Sequence, residues 1–355
     1  MSEIVSPAER IPSITVKGLI YGQPGCGKST RALSAPNPVM IDADKGMTRV
    51  ERRYQAPSLP LESFDQVLRV FEAGELKPFD SIIFDTAGKL VDRIGDYVMD
   101  KNPKARQGNG SLTMQGWGEV KKEFSNLLSR LQASGKNVIF IAHEREETQG
   151  DQKIVRPDIA GSSGKELVKE LDFMGYMEVV NDRRTICFSP SERFYAKNSI
   201  GLTNRIEVPT LLEETPNKFI ENEIIERTKQ RKLEDDRVAE EYENLVYTNQ
   251  LRIDAIEGPE DAQAILTELK QETPHIWDSY MVLRNYLHGK LQEKGIHYDK
   301  KAGEFYMPES ANNESDEQAE APGEDEQEEQ AAEGEQESYE EAGPDKGDAV
   351  AADAK

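Results

Sequence analysis

Nine consecutive residues constrain this chain more than any others: Gly22-Gln23-Pro24-Gly25-Cys26-Gly27-Lys28-Ser29-Thr30. They match G-x-x-x-x-G-K-[ST] in full, and each part has a chemical reason. Glycines let backbone N–H groups turn inward around an anion, and the helix that follows directs its positive end at the same charge. Lys28 then reaches the β- and γ-phosphates of a nucleoside triphosphate, and the Ser29 hydroxyl ligates Mg²⁺. A chain of 355 residues matches the pattern by chance on the order of 1% of the time. Accidental matches rarely lie between a strand and a helix, as this one does.

The flanking pattern alternates strand and helix. Residues 14–21 (ITVKGLIY) read as a strand entering the loop, with further strands at 37–42, 81–86 and 137–142. Helical spacing covers 62–73, the segment from Lys89 to Met99, and 114–134, where Trp117, Val120, Phe124, Leu127, Leu128 and Leu131 share a face. Such alternation predicts an α/β fold, a mostly parallel sheet flanked by helices. Asp85 closes SIIFD, a strand expected beside the loop, where a carboxylate can hold the water shell of Mg²⁺. From residue 170 the pattern shortens, and 173–180, 184–189 and 193–197 are expected to extend the sheet in antiparallel fashion. Residues 217–306 read as a helical C-terminal region, starting one helix at Pro259–Asp261 and placing Ile276, Trp277, Met281, Leu283 and Leu287 on an apolar face. The expected organisation is therefore a P-loop core over 1–210, the helical region over 217–306, and a tail over 308–355.

Charge sharpens the last boundary. The formal net charge is −23, and residues 309–355 hold 18 Asp or Glu against 2 Lys. That tail has almost no apolar side chains, and its composition predicts disorder. The two cysteines, Cys26 and Cys187, imply no disulfide framework, and no His or Cys cluster has metal-ligand spacing. The sequence offers neither a signal-peptide core nor a run of 18 apolar residues, so a cytoplasmic location without membrane contact is expected. Gly161-Ser-Ser-Gly164-Lys165 is too closely spaced to be a second phosphate loop.

The succession GQPGCGKST, IDAD, IIFDTAGKL, MQGWG, VIFIAHE, IVRPDIAGSS and RFYAKN, over about residues 12–205, resembles phage-encoded RecA-like P-loop ATPases. These are core-only relatives of RecA, grouped with single-strand-annealing recombination proteins. The resemblance implies ATP and Mg²⁺ as ligands, and ATP-dependent work on single-stranded DNA in phage recombination or replication, in the host cytoplasm. It implies a homo-oligomeric ring or filament. It gives Asp44, one methylene shorter than the family's usual glutamate, the role of general base, with Asp42 left as a possible turn cap. His143 falls where such proteins sense the γ-phosphate, and Lys197 where they reach a neighbouring subunit's nucleotide.

The residues themselves say less about DNA. Subtracting the tail leaves −7 for the first 308 residues, so any nucleic acid must meet local patches. Two exist: Lys101-Asn-Pro-Lys104-Ala-Arg106-Gln-Gly, and Arg145 to Lys165 with Lys153 and Arg156. The acidic tail either keeps the chain soluble, competes with DNA for these loops, or recruits a single-strand-binding or replication protein. Other readings stay open: a small-molecule kinase with Arg145 and Arg156 as lid arginines, a helicase or its loader, or a nucleotide-dependent interaction module. A partition-type ATPase is disfavoured, because Gln23 stands where those carry a second lysine.

Overall fold

Runs such as Leu19-Ile20-Tyr21 and Val138–Ala142 are apolar on both faces, so they can be buried only between two layers. The computed structural model describes residues 15–150, 152–212, 215–271 and 274–308. In chain order the elements are β1 (Lys17–Gly22), α1 (Lys28–Ala32), β2 (Pro38–Asp42), β3 (Ser58–Pro60), α2 (Phe64–Glu72) and β4 (Ser81–Asp85). There follow α3 (Ala87–Lys101), α4 (Met114–Ala133), β5 (Asn137–Gln149), β6 (Gln152–Pro157) and α5 (Ser163–Glu170). The core closes with β7 (Phe173–Val180), β8 (Arg183–Cys187), β9 (Lys197–Asn198) and β10 (Arg205–Val208).

The main path of the sheet runs β10-β8-β7-β1-β5-β4-β2-β3. The expected class holds, a mostly parallel sheet flanked by helices with an antiparallel extension, but three details differ from the sequence reading. First, β7 pairs parallel to β1, and on that side of the sheet antiparallel pairing begins with β8 and β9 against β7. Second, β4 does not pair with β1; β5 lies between them. Third, β5 runs on past His143 to Gln149 and pairs antiparallel with β6, so the stretch from Arg145 begins as a hairpin. Apolar pattern marks a strand as doubly buried, but says nothing of which neighbour buries it.

Alternate residues along β5 feed two apolar layers. Val138, Phe140 and Ala142 join Phe64, Leu90, Ile94, Phe124 and Leu127 from α2, α3 and α4. Ile139 and Ile141 join Ile20, Phe173 and Phe188 on the other side. The strands approach closely where β1 has no side chain: a Cβ on Gly18 would stand 2.0 Å from the Phe173 ring. On α4 the expected face is buried from Val120 to Leu131, whereas Trp117 is 37% exposed. Trp117 instead covers Gly161, where a Cβ would stand 2.9 Å from its ring.

The C-terminal part is helical as expected. A π-helical turn, Ile220–Glu226, leads into α6 (Arg227–Asp254), then α7 (Pro259–Gln271) and α8 (Ser279–Glu293). Phe219, Ile220, Ile224 and Ile225 belong to the second apolar layer of the core, so the region is rooted there. Farther out, Ile253, Ile265, Leu283, Leu287 and Leu291 form a separate cluster. The face expected around Trp277 and Met281 is displaced: α8 begins at Ser279, and those two side chains are 66% and 58% exposed. Leucines at i, i+4 and i+8 take the buried stripe instead. A hairpin, β11 (His297–Asp299) and β12 (Glu304–Tyr306), was not legible as strands. Among the described residues no helix is long and apolar enough to cross a membrane. The acidic tail beyond Pro308 lies outside the described residues.

Candidate functional site

β1, flanked by β7 and β5, delivers the chain into the glycine turn at the C-terminal ends of the parallel strands. Gly22 passes so near the β7 backbone that a Cβ would stand 2.1 Å from the Met177 carbonyl oxygen. Gly27 has φ 97°, in the left-handed region that side chains disfavour, and from there the chain enters α1. That helix is only five residues long. Its dipole is therefore short, and the loop amides and Lys28 carry more of the attraction for an anion than a long helix would leave them.

Lys28 is 5% exposed. Its ammonium donates to the carbonyls of Gly22 at 2.9 Å and Gln23 at 2.7 Å, across the mouth of the loop. These neutral acceptors can be exchanged for phosphate oxygens at little cost, since bonds between opposite charges replace bonds from a charge to neutral carbonyls. The Cys26 sulfur lies 3.8 Å from the same ammonium. Burial pushes the Cys26 thiol up, against the pull of Lys28, so it fills the loop as a neutral side chain.

The Ser29 hydroxyl donates to Asp85 Oδ2 at 2.6 Å. The two residues lie 56 positions apart, Ser29 on α1 and Asp85 at the end of β4, so this contact exists only in the folded chain. Asp85 is 3% exposed, and burial raises its carboxyl, opposed by the Ser29 hydrogen bond and reinforced by Asp42 and Asp44. A desolvated carboxylate beside a hydroxyl is a hard-oxygen pair short of positive charge. Mg²⁺ takes one or two protein oxygens and keeps its waters and the substrate phosphates, so this donor set fits it. Among the described residues no group of three His, Cys, Asp or Glu side chains could hold a metal unaided.

Asp42 caps the turn after β2, accepting from the Gly46 and Met47 amides at 2.7 and 2.9 Å. That was its alternative reading. The backbone carbonyl of Asp85 accepts from the Ala43 and Asp44 amides at 2.7 and 3.0 Å, which fixes the two acidic strand ends together. Asp44 forms an ion pair with Arg49 at 2.6 Å. His143 is in register with Gly22, and its Nδ1 is buried without a hydrogen-bond partner among the described residues. A cavity of about 590 Å³ is lined by Lys28, Ser29, Asp44, Arg49, Asp85 and His143, among others. Most of the residues singled out in the sequence thus meet in one place.

Lys197 does not join them. It lies on β9, and its ammonium donates to the carbonyls of Val168 at 3.0 Å and Lys169 at 3.3 Å, at the C-terminal end of α5. Arg49 was missed: it stands in a short 3₁₀ turn with no motif around it, and only its approach to Asp44 marks it.

An AAA domain family matches residues 14–200, more than half of the chain. The chain belongs to this AAA domain family. The match ends beyond β9, so β10 and everything from the π-helical turn onward fall outside it. The SPbeta prophage-derived uncharacterized protein YorG of Bacillus subtilis (strain 168) is 24% identical over 256 residues, covering 67% of this chain and 76% of that protein. The KaiC-like protein PH0186 of Pyrococcus horikoshii OT3 aligns over 55% of this chain and 89% of its own, at 10% identity and a TM-score of 0.31. By its family and its complete G-x-x-x-x-G-K-[ST] loop, the AAA domain of this chain is a P-loop nucleotide-binding domain.

Proposed function

We propose that this AAA domain hydrolyses ATP with Mg²⁺, and that it does so on single-stranded DNA in phage recombination or replication. The observation that carries the hydrolytic reading is the 2.6 Å contact between Ser29 and Asp85, at a cavity that Asp44 and His143 also line. Lys28 leaves the carbonyls of Gly22 and Gln23 to neutralise the β- and γ-phosphates. Mg²⁺, held by Ser29 and the Asp85 carboxylate, would supply charge neutralisation at the phosphates. Asp44 takes the proton of the attacking water after parting from Arg49, whose guanidinium is then free for phosphate oxygens. His143 offers its Nδ1 to the γ-phosphate, which requires the tautomer or charged form carrying a proton there.

The DNA part is supported by position and by the prophage origin of one relative. The hairpin of β5 and β6 springs from His143, so whatever touches Arg145 on β5, or Lys153 and Arg156 on β6, is linked to the site through that hairpin. Lys153 and Arg156 are paired with Glu146 and Glu147, at 3.1 and 2.9 Å, so a nucleic acid must compete for them. A homo-oligomer would present Lys197 to a neighbour only after it leaves the α5 carbonyls. One observation favours a second reading, an interaction module with little turnover: the proposed base is already engaged by Arg49.

Hydrolysis by wild type and Lys28→Ala, with and without single-stranded DNA, decides between these. The expected result is DNA-stimulated turnover that falls by roughly 10²–10³ in Lys28→Ala, the range found when one charge-stabilising donor is removed. Turnover indifferent to DNA removes the DNA part. Tight binding with negligible turnover in wild type and Asp44→Asn alike establishes the module.

A further inference from the structure

A second cavity, of about 290 Å³, adjoins the outer flank of the phosphate loop. It shares Gly27 and Thr30 with the first cavity, so a polyphosphate that starts at Lys28 and Ser29 leads past Thr30 into it. Its other walls include Arg31 from α1, Tyr54, Arg184 from β8, and the chain at Thr210. Two guanidinium groups therefore meet one carboxylate there, Glu51, and that acid is already paired with Arg53 at 2.8 Å.

The two arginines differ in what they do. Arg31 is 4% exposed and donates to the Pro209 carbonyl and to Asn217 Oδ1, holding the chain after β10 against α1. Asn217 completes that clamp by donating to the Thr30 carbonyl at 2.6 Å. Burial, and next the charge of Arg184, pull the Arg31 guanidinium below its usual value. Arg184 is half-buried, yet its side chain has neither an ion pair nor a hydrogen bond among the described residues. Its Nε stands 3.8 Å from the place a Cβ on Gly27 would occupy. Arg184 does not line the cavity that holds Asp85, Asp44 and His143, so it is remote from the end of the triphosphate that would be cleaved. Unmatched positive charge in a recess raises the free energy until an anion compensates it.

We propose that Arg184 binds the α-phosphate of the nucleotide, in a nucleoside subsite that Arg31 and Tyr54 help to wall. This rests on the nucleotide-binding reading above and deepens it. The late-strand cation serving the site comes from β8 of the same chain, whereas Lys197 is occupied at α5. Arg184 separates nucleotides from bare polyphosphates: inorganic tripolyphosphate fills the loop but leaves the subsite empty. Because the interaction is made equally with bound substrate and transition state, it acts on KM and not on kcat.

The test is titration of the full chain, as wild type, Arg184→Ala and Arg184→Lys, with ATP, ADP and inorganic tripolyphosphate. For Arg184→Ala, ATP and ADP are expected to bind about tenfold or more weakly, as for loss of a charge-assisted hydrogen bond. Tripolyphosphate affinity stays unchanged, which also certifies a folded loop, and KM for ATP rises while kcat holds within about twofold. Arg184→Lys recovers part of the ATP affinity. Equal weakening of all three ligands overturns the assignment by placing Arg184 on the β- and γ-phosphates, and so does unaltered ATP affinity. Failure of the wild type to bind either ATP or tripolyphosphate defeats the underlying nucleotide reading instead, an outcome distinct from any produced by Arg184→Ala.

Discussion

Burial raises the Asp85 carboxyl, and that shift makes folding stability depend on pH. A carboxyl whose folded value is raised above the unfolded one, about 3.9, binds protons more readily in the folded state. Between those two values folding stability falls as pH rises, and above the window the penalty is complete. Asp85→Asn removes the charge and keeps an oxygen to accept from Ser29. The nucleotide-free variant is therefore expected to melt higher than wild type near neutral pH, with the difference closing as pH falls below the unfolded value. The same change should cost hydrolysis roughly 10²–10³-fold, as the loss of a positioned charge at phosphate does. Melting curves across pH, beside a turnover assay, check both; a variant that melts lower at neutral pH would show that Asp85 is needed for the fold. At this scale the sequence was informative. Lys28, Ser29 and Asp85 were named from local pattern, since each sits at a fixed place in a motif or a strand end. Arg49 and Arg184 were not, because nothing beside them in the chain marks them.

Elements were read well where one face or both are buried over many residues, as on α4 and β5. They were read poorly where a turn shifts the frame. The turn ahead of α8 starts that helix at Ser279, so Trp277 and Met281 lie outside the stripe that holds Leu283, Leu287 and Leu291. Leu287 is 2% exposed in a cluster that shares no residue with either core layer. Leu287→Ala is expected to destabilise that cluster by about 2–5 kcal/mol, the usual loss for a buried leucine. ADP affinity should not move, because the phosphate loop stands on β1 and α1. Far-UV circular dichroism melting, with ADP titration at a temperature below the transition, tests this. A parallel loss of ADP affinity would mean that the outer cluster supports the site.

Across the whole molecule, the helical region and the nucleotide site meet at α1. Ser34 accepts from the Ile220 amide at 2.8 Å, and its carbonyl accepts from the Glu221 amide at 3.2 Å, just after the helix that carries Lys28. The start of the helical region is therefore packed against the end of α1. The acidic tail adds the long-range term. Carrying −16, it can compete with a nucleic acid for Lys104, Arg106 and Arg145. Cutting after Pro308 is expected to tighten single-stranded DNA binding at low salt, with the gain fading as the Debye length shrinks toward about 8 Å at physiological ionic strength. Fluorescence anisotropy of a labelled oligonucleotide at several salt concentrations measures it, and equal affinity with and without the tail would remove the competition.

The sequence by itself determined the phosphate loop, the alternation of strands and helices, and the acid at the end of β4. Each depends on residues within one turn or one strand of one another, where periodicity and steric rules act directly. Only the tertiary structure decided that β5 separates β1 from β4, that β7 runs parallel, and that Arg184 stands at Gly27 while Lys197 stands at α5. Those outcomes turn on which surfaces bury one another across the chain, and many strand orders satisfy the same apolar pattern equally well.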